Sequence, residues 1–102
     1  MTDSVEIRYL DHSGFSVNTA QHTLIFDYYR DPAKALQISP AKSLYVFASH
    51  AHGDHFNQAI VSWQQQATAY ILSSDIAEAG GLPHVAKEKL HFIAPYQQLM
   101  HN

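Results

Sequence analysis

Leu44-Tyr45-Val46-Phe47-Ala48 runs directly into Ser49-His50-Ala51-His52-Gly53-Asp54-His55. The first part is short, apolar and rich in β-formers, which predicts a buried strand over residues 43–49. The second part is polar and holds three histidines and one aspartate within six positions. In extended backbone alternate side chains face the same way, so His50 and His52 can converge on one ion. Gly53 lets the backbone turn sharply. Asp54 and His55 then point elsewhere, toward a second ion. Neutral imidazole is a common nitrogen donor for zinc and related metals. A bound metal lowers the pKa of water to near neutrality, and two metals together can also polarise the bond under attack. Asp54 can both ligate and take up a proton. A solvated surface turn is the bland alternative, but it does not account for six features that occur together after a strand.

Outward from this stretch the pattern is mostly β. Val5, Ile7 and Tyr9 alternate with Glu6 and Arg8, Asp11-His12-Ser13-Gly14 is a turn, and alternation resumes at Phe15. These runs predict a hairpin. Residues 22–29 are apolar enough for a strand covered on both faces, ended by Asp31-Pro32. Residues 33–41 read as either a short helix or a loop. The spacing over residues 57–67 predicts a helix capped by Asn57. A strand follows over 68–72, then a short helix from Ser73-Ser74-Asp75 to Ala79, ended by Gly80-Gly81. A last strand spans 89–93. Strands separated by helical segments predict a layered α/β architecture.

Composition narrows the classes. The chain has 102 residues, 46% hydrophobic and 15% charged, with a net charge of -3. It is globular and one domain at most. The charge gives no footprint for nucleic acid and no polybasic membrane signal. Without cysteine there is no disulfide, thiolate zinc site or cysteine nucleophile. No apolar run is long enough to span a bilayer. The acidic start shows no signal peptide, so a cytoplasmic location is expected. Histidine is the anomaly: eight, against six Lys plus Arg.

His50-Ala51-His52-Gly53-Asp54-His55 resembles the H-x-H-x-D-H signature of the metallo-β-lactamase superfamily. Tyr9-Leu10-Asp11-His12-Ser13-Gly14-Phe15 resembles the opening of its lactonase-like and uncharacterised hydrolase branches. Leu24-Ile25-Phe26-Asp27 resembles its strand ending in Asp. The similarity runs from about Tyr9 to Ser73. It implies His50 and His52 as ligands of a first metal and Asp54 and His55 as ligands of a second, with zinc the first choice and manganese or iron as alternatives. It also implies a site role for His12, near the active-site mouth. The implied function is a metal-dependent hydrolase of a small ester, lactone or phosphoester. The implied fold is the N-terminal half of an αββα sandwich, so residues 1–102 read as one truncated domain. The family's further His ligands and bridging Asp are expected downstream. Asp75, the only later aspartate, comes too soon and in a capping context, and 94–100 reads as a connection to a next strand. Half a sandwich leaves a face uncovered, which predicts marginal stability, self-association as a homo-oligomer, or a missing C-terminal half. The alternative function is an inactive fragment that binds metal weakly or serves as an interaction module.

Other residues carry two readings. Asp27 is either an acceptor that orients a ligand histidine or a turn residue at a strand end. Tyr28, Tyr29 and Arg30 line a substrate mouth or, the favoured reading, pack as ordinary amphipathic side chains. Trp63 reads as core. His22, His84, His91 and His101 match no ligand spacing.

Overall fold

In a computed structural model the described residues are 4–53, 55–94 and 99. Six strands form one mixed sheet: β1 Glu6–Asp11, β2 Gly14–Asn18, β3 His22–Phe26, β4 Ser43–Ala48, β5 Ala67–Ser73 and β6 Leu90–Ile93. Their order across the sheet equals their order in the chain. β1, β2 and β3 pair antiparallel; β3 to β6 pair parallel. Helical structure is sparse: α1 Ser74–Glu78, and 3₁₀ turns at Gln58–Trp63 and Lys87–Lys89.

The hairpin forms as its alternation predicts, with Ile7 opposite Val17 and Tyr9 opposite Phe15. Its turn includes a left-handed residue, His12, at φ 51°. Gly14 is required for a different reason. A Cβ there would lie 2.8 Å from the Asp27 carbonyl oxygen and 3.1 Å from that of Asp11. Both are backbone atoms, so neither can rotate away. Gly14→Ala is expected to cost about 1–3 kcal/mol of stability, read as a lower urea midpoint.

Parallel neighbours need crossovers, and crossovers are right-handed. Because the parallel strands follow one another in a single direction across the sheet, that rule puts all three crossovers on one face. The core shows the result. Ile25, Leu44, Val46, Ala48, Tyr70 and Leu72 from the sheet are buried with Ile60, Ile76, Leu82 and Val85 from the crossovers. Leu36 and Ile38 of the first crossover pack against them. That crossover, residues 27–42, is a loop and not a helix. Asp31 organises it by accepting from the Ala35 and Leu36 amides at 2.9 and 2.8 Å.

Among the described residues no crossover covers the opposite face. Phe15, Phe26 and Phe47 stack there across β2, β3 and β4, with ring centres 4.9 and 4.5 Å apart. Tyr9, in the same row, and Ile7, in the next row on that face, are 67% and 68% exposed. This corrects the expectation that residues 22–29 form a strand covered on both faces. Burial alternates along β3 and β4, one face closed and one half-open. β3 also stops at Phe26, because Asp27 turns into the left-handed region at φ 49°.

The segment after Asn57 differs from expectation too. Asn57 does cap it, its side-chain oxygen accepting from the Ala59 amide at 2.8 Å. The helix is only a 3₁₀ turn, since β5 must begin at Ala67 to pair with Leu44. β-Branched Ile60 and Val61 add no support for a longer helix. Among the described residues no helix is long and apolar enough to cross a membrane.

Candidate metal centre

Parallel strands place their carboxyl ends along one edge of a sheet, where α/β proteins build their sites. Here that edge gathers Asp27 after β3, Ser49 and His50 after β4, and Ser73 and Asp75 at the end of β5.

Asp27 is the anchor on one side. Its backbone N–H donates to the Phe47 carbonyl at 2.9 Å, which ties it to β4. Its Oδ1 accepts from the Ser49 amide at 2.6 Å, and its Oδ2 accepts from the Ser49 hydroxyl at 2.7 Å. The same Oδ2 lies 3.2 Å from Nδ1 of His55. The carboxylate is only 14% exposed. Its left-handed backbone suits Asp, whose short polar side chain tolerates that region. Asp27 is thus a turn residue at the strand end, and its carboxylate also meets His55 of the histidine loop.

Asp75 is the anchor on the other side. Its Oδ2 accepts from the Ala51 amide at 3.0 Å, and its other oxygen accepts from the Ser73 hydroxyl. The Ser73 hydrogen bond, then the Ala51 bond, hold its carboxyl below the usual range, and the nearby His50 acts the same way.

Between these anchors the loop turns on His52, whose carbonyl accepts from the amides of His55 and Phe56, both at 2.9 Å. The His50 ring centre lies 4.9 Å from that of His55, edge-on, and 6.1 Å from that of His52, nearly parallel. His50 and His52 are exposed; His55 is half-buried. Asp54 lies outside the described residues. Among the described residues no group of three or more His, Asp or Glu side chains is gathered closely enough to hold an ion.

His12 lies in the turn between β1 and β2. Its ring packs edge-on against Tyr29, 4.6 Å between centres, and its amide donates to Asp11 Oδ1 at 2.9 Å. Asp11 pairs with Arg30, which holds the Asp11 carboxyl below the usual range. The Arg30 guanidinium sits 5.2 Å from the centre of the Tyr29 ring. Asn57 ties this cluster to the far side of the loop by donating to the Tyr29 carbonyl at 2.6 Å. Tyr28 packs instead, edge-on against Trp63 at 5.1 Å, and burial raises its pKa. Both rings border the core. His22 lies at the start of β3, at the opposite end of that strand, and His84 is an exposed loop residue. His91 lies within β6 beside Ile71. His101 and most of 94–100 fall outside the described residues.

A model of the family described as a beta-lactamase superfamily domain matches residues 6–97. The chain belongs to the beta-lactamase superfamily. Comparison with curated proteins gives no match. The superfamily includes metal-dependent hydrolases and often uses divalent metals such as zinc. Sequence reasoning set Asp75 aside as a ligand and gave it only a helix-capping context. No local signal pointed from it to Ala51, because that contact crosses from one strand end to the next.

Proposed function

We propose that this chain carries the metal signature of a superfamily hydrolase, acting on a small ester, lactone or phosphoester, on the N-terminal half of an αββα sandwich. The observation that carries this reading is the contact between His55 Nδ1 and Asp27. Ligand histidines typically give their second ring nitrogen to a carboxylate, which fixes tautomer and orientation. Here that partner exists on a neighbouring strand end.

The donor set fits a zinc-like ion in kind: three imidazoles and one carboxylate. His50 and His52 would hold one ion, Asp54 and His55 a second. Such ions supply Lewis acidity and a water of near-neutral pKa. The chain's residues do the rest. Asp54 would serve both as a ligand and as a proton acceptor. His12 would stand near the mouth of the site, as the resemblance implies. A cleft of about 380 Å³ among Phe26, Phe47, Ile71 and Ile93, reaching Asp27, Ser49 and Ser73, suits an apolar part of a small substrate.

Metal content on freshly purified protein tests the reading. The expected result is tightly held metal, near two ions per chain, lost in both His52→Ala and Asp54→Ala while the sheet persists. A wild type that holds no metal would overturn it.

Two observations favour the second reading, an inactive, weakly binding fragment. Both oxygens of Asp75 are already engaged, by the Ala51 amide and the Ser73 hydroxyl, and no group of three or more His, Asp or Glu side chains gathers to hold an ion among the described residues. A metal-loaded chain that hydrolyses none of these three bond types would support that reading.

A further inference from the structure

We propose that Asp75 is a positioning residue, which holds the histidine loop in a metal-ready conformation through the Ala51 amide. This inference rests on the metal reading above.

Ala51 is the residue between His50 and His52. The two imidazoles can share an ion only while the backbone between them stays fixed. Burial fixes it only in part: Ala51 packs against the core, while His50 and His52 are both exposed. The Ala51 N–H is also held, by Asp75 Oδ2 at 3.0 Å. Asp75 is itself fixed. Its other oxygen takes the Ser73 hydroxyl, and its neighbour Ile76 is fully buried in the core. One connection from core to loop therefore runs through this carboxylate.

The arrangement on the other flank is equivalent. Asp27, after β3, holds the Ser49 amide; Asp75, after β5, holds the amide two residues later. These are the two strands that border β4. The loop leaving β4 is thus gripped from both sides at alternate backbone amides. The side chains of His50 and His52 remain available on the exposed side.

Substitutions at Asp75 separate positioning from ligation. Asparagine keeps a carbonyl oxygen for the Ala51 amide and offers an NH₂ to the Ser73 oxygen, but removes the charge. Alanine removes both contacts. The test is a titration of the metal-free full chain with cobalt(II), followed by its visible absorption, for wild type, Asp75→Asn and Asp75→Ala. Amide exchange at Ala51 is measured on the same proteins without metal. The expected result is that Asp75→Ala weakens binding about tenfold or more, the range seen when outer partners of ligands are lost. Asp75→Asn stays near wild type. Exchange at Ala51 speeds up in the alanine variant alone, while Val46 and Leu72 keep their protection.

Alanine binding as tightly as wild type would overturn the proposal. So would asparagine as damaging as alanine, which would make Asp75 a ligand or a charge the ion needs. Wild type that takes up no cobalt would instead overturn the metal reading, and this proposal with it.

Discussion

Asp27→Ala is expected to lower stability by about 2–4 kcal/mol and to loosen the histidine loop in the same step. Two hydrogen bonds from Ser49 to a nearly buried carboxylate are lost. Bonds to charged groups are each worth about 1.5–3 kcal/mol. Alanine is also a poor residue at φ 49°, where a Cβ without local polar compensation costs about 1 kcal/mol. A domain of this size holds about 5–15 kcal/mol in all, so the loss takes a large fraction. Asp27→Gly is the control. Glycine removes the backbone penalty and leaves only the missing carboxylate. Urea denaturation should rank the proteins wild type, then glycine, then alanine. A change under about 0.5 kcal/mol for alanine would mean that the Asp27 contacts hold nothing together.

The second large effect lies in the core. Tyr70 is fully buried, and its hydroxyl donates to the Ile60 carbonyl at 2.7 Å. Burial pushes its pKa up to about 12. The folded state therefore keeps the phenol proton longer than the unfolded chain, which releases it near pH 10. The stabilisation is complete below pH 10 and is lost as pH rises toward 12. At about 1.4 kcal/mol per unit, the fall across that window is about 2–3 kcal/mol. Tyr70→Phe should behave in the opposite way. It leaves the Ile60 carbonyl unpaired and costs about 1–2 kcal/mol at neutral pH. Most of the alkaline slope then disappears, with a residue left by the raised pKa of Tyr28. Urea midpoints at pH 7, 10 and 11.5 check this. A variant that keeps the full wild-type slope would show that another group carries it.

The sequence carried the strands well, for a physical reason. Alternation at Val5, Ile7 and Tyr9 and the apolar runs at 22–29 and 44–48 are local signals of β-structure; the hairpin and β4 lie where they predict, while β3 ends at Phe26, short of the apolar run. Gly80-Gly81 does end the short helix, both residues lying at positive φ. The 3₁₀ turn at Gln58–Trp63 was less legible. Its length is set by the pairing of Ala67 with Leu44, a contact distant in sequence. The site divides in the same way. H-x-H-x-D-H is contiguous and readable. Its supports come from Asp27 and Asp75, 22 and 24 residues from the amides they hold; in the sequence Asp27 reads equally as a turn residue or as an acceptor for a histidine, and Asp75 only as a cap. His12 was placed near the site by resemblance; its described contacts are with Asp11 and Tyr29.

The agreement between strand order and chain order has a consequence for biosynthesis. As the chain leaves the ribosome, β1 and β2 can close as a hairpin, and β3 can zip onto β2. Each later strand then meets an edge already exposed by its predecessor, so no strand must wait for a partner made later. Each docking step closes a loop of modest length, for which the entropic cost grows slowly with size. The histidine loop emerges between β4 and β5, after Asp27 and before Asp75. It would therefore be gripped from one flank during synthesis, and from the second only when β5 has joined the sheet.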